Sequence, residues 1–149
     1  MSSSSKPVSV VLIGLSTEIG RPVTEGLLPE YEVIRFIQSE EAARADLPHI
    51  FEGREPPAPS TNDVGSGHYG QTPRVVIVGR AFEPEKVEAI RQSCAGSIGA
   101  PTVWVVGDPA RKPAGVPPPG YGQKLPGELK KIISGWYEAG AEKDDMILY

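Results

Sequence analysis

The chain has 149 residues, enough for one domain built around one core. Apolar residues make up 39%, and 17 glycines and 16 prolines predict a modest core with long loops. A net charge of −4 argues against a nucleic-acid or membrane-surface partner, because both need basic clusters, and the densest ones, Lys130-Lys131 and Arg111-Lys112, are too small for that.

The single cysteine, Cys94, excludes an internal disulfide and a multi-thiolate metal site, and its apolar neighbours place it in the core. With no other metal-ligating cluster, no metal is expected. No apolar run approaches the ~20 residues of a membrane span. The opening "MSSSSKP" has no hydrophobic signal core, so residues 1–7 are expected to form a disordered tail and the protein to reside in the cytoplasm. Residues 8–149 then form a single domain.

Along the chain, "VSVVLIG" (8–14) is a short apolar run ending in glycine, the pattern of a strand buried on both faces. Ile19, Val23 and Leu27 follow at helical spacing, with Pro22 expected in the first turn and Pro29 as the stop. "EVIRFI" (32–37) reads as a second strand, and "SEEAARADLPHIF" as a helix capped by Ser39. Residues 53–73 lose all periodicity and form a long Pro/Gly/Ser-rich loop. "RVVIVG" (74–79) is a third strand. The helix after it has Pro84 at its first position and Val87, Ile90 and Cys94 on one face. "PTVWVVG" (101–107) is a fourth strand, with Trp104 in the core. Residues 108–126 form a second loop. In the last helix Leu129, Ile132, Ile133 and Trp136 share a face, and Gly140 caps the end. The terminal "MILY" fits an edge strand or a homodimer contact.

Alternating buried strands and helices predict a three-layer, Rossmann-like α/β domain. Its open parallel sheet has four to five strands in the order 2-1-3-4, with helices on both faces. Such sheets bind ligands beyond the carboxyl ends of their strands, where the chain direction reverses. Here that crevice is expected between the first and third strands, splayed apart between Gly14–Gly20 and Gly79-Arg80-Ala81-Phe82.

The turn "GLSTEIG" keeps two of the three glycines of a dinucleotide-binding turn, Gly14 and Gly20, with Thr17 where the middle one belongs. Ser16 and Thr17 are candidates to bind a single phosphate at the helix N-terminus. The alternative is a turn that needs its glycines only for packing.

"VVLIGLSTEIGRPVTEGL" resembles the opening of NmrA-like and other extended short-chain dehydrogenase/reductase proteins. With "PEYEVI", "PRVVIVG", "PTVWVVGDPARKP", "PPGYG" and "DDMILY", the whole chain resembles short fungal proteins of NAD(P)-binding Rossmann type. The resemblance implies the fold and no established reaction; NAD(P) or another adenine nucleotide is the candidate cofactor. "RAFEPEKVEAI" (80–90) is similar to CoA-binding domains.

The reductase machinery is not complete in this sequence. There is no Tyr-x-x-x-Lys pair: Tyr121 and Lys124 are three apart and fall in the second loop. Glu40 is the candidate for a ribose, and two acids there disfavour the extra phosphate of NADP. Arg80, ending the third strand, is the candidate for pairing an anion, against the alternative of a surface arginine bridging to Glu83 or Asp108. His68 and Tyr69, in the long loop, and Asp108, on the rim, are the candidate acid–base residues, with His68 and Tyr69 closing over the crevice. These residues predict a binding domain for a nucleotide or other anionic ligand. The alternatives are a cofactor-independent isomerase, cyclase or lyase, and a ligand-free homodimer.

Overall fold

Strands and helices alternate as β1 (Val8–Ile13), α1 (Thr17–Leu27), β2 (Tyr31–Ile37), α2 (Glu40–Phe51), β3 (Val75–Val78), α3 (Pro84–Cys94), β4 (Val103–Val106), α4 (Tyr121–Glu138) and β5 (Asp145–Leu148). The computed structural model describes residues 7–111 and 119–149. The expected tail, apart from Pro7, and Lys112 of the basic pair lie outside the described residues. All neighbouring strands pair in parallel, in the order β2-β1-β3-β4-β5. This is the expected order, with the C-terminal strand added at the edge. No helix among the described residues is long and apolar enough to cross a membrane.

Both faces of the sheet are covered, which explains why β3 and β4 are apolar throughout and β1 is apolar but for Ser9. On one face Val10, Leu12, Phe36, Ile77 and Val105 pack under Val23 and Leu27 of α1 and Leu129 and Ile133 of α4. On the other, Val11, Ile13, Val76 and Trp104 pack under Leu47 and Ile50 of α2 and Val87, Ile90 and Cys94 of α3. Burial pushes the Cys94 thiol up to about 11, so it stays protonated and inert.

The register of β2 against β1 slips between Val10 and Val11, so that Val10 faces Val33 and Val11 faces Arg35. This irregularity turns Phe36 toward α1 and Arg35 toward α2. Phe36 lies beneath the β1–α1 turn. A Cβ on Gly20 would stand 2.6 Å from its ring, and one on Gly14 3.2 Å away. Gly20 is therefore needed for packing against an aromatic ring, and Gly14 packs tightly on the same ring.

The loop 53–73 is a strap along the outer edge of β2. Ser66 and Gly67 donate backbone N–H groups to the Val33 and Ile34 carbonyls, and Asn62 donates to the Phe36 carbonyl at 2.9 Å. Gly65, at φ 100°, lies so close to β2 that a Cβ would be 2.9 Å from the Arg35 Cα. Under the strap Arg35 meets Asp46 at 3.1 Å, the Tyr69 hydroxyl at 3.0 Å and the Ala58 carbonyl at 2.9 Å. Burial raises the Asp46 pKa above its usual 3.8, and Arg35 pulls it part of the way back.

The start of α4 and the place of Pro22 differ from expectation. Helix α4 begins at Tyr121, inside the expected second loop, after Gly120 at φ 81°. Prolines read as a loop there, yet Pro126 lies within the helix because its ring seats on α1. Pro22 sits deeper in α1 than its first turn, for the same reason.

Gly20→Ala forces the Phe36 ring aside and is expected to cost about 1–3 kcal/mol in urea unfolding. The cost should shrink in a Phe36→Leu background, where the ring is gone. Arg35→Met leaves a buried carboxylate without its partner and is expected to destabilise by about 3–5 kcal/mol at pH 7. Folded Asp46 holds its proton above 3.8, where the unfolded chain releases it, so this group's contribution falls as pH rises through that window. Without Arg35 the window widens. Unfolding curves of variant and parent should therefore converge as pH falls toward 4 and diverge toward 7.

Candidate functional site

Above the carboxyl ends of β1 and β3 lies a cavity of about 490 Å³. Its depth is apolar, formed by Leu12, Val23, Phe36, Ile77, Leu125 and Leu129. Its mouth lies between the first turns of α1 and α4, with Leu15, Ser16 and Glu18 on one side and Pro119 to Gln123 on the other. Gly79, Arg80 and Ala81 supply the wall from β3.

The strands beneath do not splay apart, contrary to expectation. β1 and β3 stay paired to Ile13 and Val78, and the Gly79 N–H still donates to the Ile13 carbonyl at 2.8 Å. Regular parallel hydrogen bonding continues to the last residue. The space comes instead from the gap between the sheet and the α1–α4 pair.

Among the described residues Arg80 is the one basic residue on the lining, and only 9% of its side chain is exposed. Its Nε donates to the Tyr149 main-chain oxygen at 3.1 Å and one terminal nitrogen to the Tyr121 hydroxyl at 3.0 Å. The other stands 3.6 Å from Glu128, and the guanidinium lies 4.6 Å from the centre of the Tyr149 ring. Tyr149 is itself buried; its hydroxyl donates to the Val78 carbonyl at 3.2 Å, and burial drives its pKa well up. Gly107, after β4, makes room for all this, since a Cβ there would lie 2.5 Å from Arg80 Cα and Cγ.

Gly14, Ser16, Gly20 and Arg80, all expected at the crevice, are brought together on this lining. Ser16 caps α1, its hydroxyl accepting from the Glu18 N–H at 3.1 Å. Thr17, Glu40, His68, Tyr69 and Asp108 are not on it. Glu40 opens α2 and pairs with Arg44 at 3.6 Å. His68 does not close over the crevice: its Nδ1 lies 2.6 Å from Glu32, near the start of β2, five residues (roughly 16 Å of strand) before its carboxyl end. Tyr69 is held by Arg35 under the strap. Asp108 closes a turn, its carboxylate accepting from the Ala110 N–H at 3.0 Å. Arg80 meets Glu128 in place of Glu83 or Asp108.

Sequence reasoning missed Phe36, Gly107, Gly122, Tyr121, Glu128 and Tyr149. The glycine ending the fourth apolar run and the aromatic after "MIL" were visible signals, but their meeting at Arg80 depends on the sheet order. Tyr121 was hidden by the surrounding prolines.

Among the described residues, no group of three or more His, Cys, Asp or Glu side chains is placed to hold a metal ion. No family model and no solved structure matches the chain. It is similar to Kojic acid related protein 6 of Aspergillus oryzae, with 28% identity over 150 residues that cover 97% of this chain and 90% of that protein.

Proposed function

We propose that this protein is a small-molecule binding domain. Its ligand occupies the cavity above β1 and β3, with an anionic group directed to Arg80 and the first turn of α1. The observation that supports this best is a nine-tenths buried arginine on the wall of a cavity with an apolar depth, at the position in the sheet where α/β domains bind ligands. Among the described residues the N–H groups of Leu15, Ser16 and Thr17 meet no acceptor, so the helix tip retains donors for an anion. NAD(P), another adenine nucleotide and CoA belong to this ligand class. The relative's name adds kojic acid to the compounds to be tried.

The reading has no hydride-transfer step. Tyr121 and Lys124 are three apart on α4, and the Tyr121 hydroxyl is bonded to Arg80. An acid–base enzyme built on His68, Tyr69 and Asp108 finds no support, since none of them lines the cavity. A homodimer reading draws on β5, an edge strand with Met146 and Leu148 exposed.

Titration calorimetry with NAD, NADP, FMN, CoA and kojic acid tests the proposal. Saturable one-to-one binding of at least one is expected. Gln123→Trp, at the exposed rim, should fill the mouth and weaken that binding at least about tenfold, which is 1.4 kcal/mol. Binding that ignores this substitution would place the ligand elsewhere.

A further inference from the structure

We infer that the cavity selects an amphipathic monoanion, an organic carboxylate with an aliphatic or aromatic body, over a phosphate-bearing nucleotide. The inference rests on the ligand-binding reading above and narrows it.

The glycines that would cradle a pyrophosphate have another occupant. Gly14 and Gly20 both close on the Phe36 ring, which is itself buried. The helix tip is a weak phosphate site as well. The Glu18 side chain belongs to a lining residue of like charge to a phosphate. Each further negative charge on a ligand adds repulsion from Glu18 and Glu128, while among the described residues Arg80 is the one cation on the lining.

Arg80 is suited to a single carboxylate. A guanidinium has five N–H donors in a planar fork. Two of these bond to the Tyr149 oxygen and the Tyr121 hydroxyl, and Glu128, at 3.6 Å, is beyond hydrogen-bond range. Among the described residues the remaining donors meet no acceptor, and the unbonded terminal nitrogen is not sealed from solvent. These donors are open to a ligand in the cavity that Arg80 lines, and a carboxylate answers them with two parallel bonds. Beyond Arg80 the recess is hydrocarbon: Leu12, Val23, Ile77 and Leu129 are each at most 6% exposed. It takes a chain or ring readily. A ribose hydroxyl would be left unpaired there.

The test is calorimetry of the full chain with octanoate, 1-octanol and AMP. Octanoate should bind one per chain and about tenfold more tightly than 1-octanol, the scale of a charge-assisted hydrogen bond, with AMP weaker still. Arg80→Met risks misfolding, so the charge is tested from outside. Glu128→Gln, on a half-exposed residue, removes the competing carboxylate and should tighten octanoate about threefold while leaving 1-octanol unchanged. Equal binding of octanoate and 1-octanol, AMP binding without octanoate, or a Glu128→Gln change shared by both chains overturns the inference and spares the ligand-binding reading. Silence from all three and from the nucleotides, or binding indifferent to Gln123→Trp, overturns both.

Discussion

Two proline rings seated on two glycines hold α1 against α4, and the cavity mouth depends on that contact. A Cβ on Gly122 would stand 2.7 Å from Pro22 Cγ, and one on Gly26 2.5 Å from Pro126 Cγ. The pairs are four residues apart on each helix, so the two helices run parallel and in register, as right-handed crossovers on one face of a parallel sheet require. A proline inside an isolated helix costs about 3 kcal/mol, and two such prolines would be a poor choice without compensation. The compensation is proximity. Each ring fills a notch that only glycine leaves, and the first turns of the two helices are brought to either side of the same space.

The two edges of the sheet are handled differently. The loop 53–73 hydrogen-bonds along β2, buries the Arg35–Asp46 pair and ties back to α1 through Asp63 and Arg21 at 2.6 Å. A strand edge covered in this way is closed to further pairing. At the far edge, β5 brings Tyr149 across the end of β4, where the Tyr149 main-chain oxygen accepts from both the Asp108 N–H and Arg80. The last strand therefore does more than extend the sheet. It supplies the ring and the oxygen that hold Arg80 against the cavity wall.

What the sequence made legible was what short-range periodicity encodes. The apolar runs at 8–14, 74–79 and 101–107 name their strands. Val87, Ile90 and Cys94, or Leu129, Ile133 and Trp136, name their helix faces, and the alternation of elements leads to the sheet order. The site was legible only as a place. Gly14, Gly20 and Arg80 lie on it because strand ends are local features. Phe36 reaches the turn through a slip in register, Tyr121 reaches Arg80 across 41 residues, and Tyr149 reaches it across 69. No local pattern records such contacts. His68 and Tyr69 misled for the same reason: the loop composition showed its length, but the surface that captured it was decided by the exposed edge of β2.

The glycine pair shows how far a motif can carry. Spacing of Gly14 and Gly20 says that something approaches the backbone of the turn closely; it does not say what. In a dinucleotide site the close neighbour is a pyrophosphate, and the middle position must be glycine too. In this chain the neighbour is an aromatic ring from β2, which approaches from inside the protein and leaves the outer side of the turn free for Ser16 to cap and Thr17 to stand in the middle. A threonine at that position is then no departure from a rule, because the requirement that made it glycine has gone. On the ligand-binding reading proposed above, the same replacement moves the polar interest of the cavity from the turn to Arg80, and so from phosphate chemistry to a single charge at the end of an apolar recess.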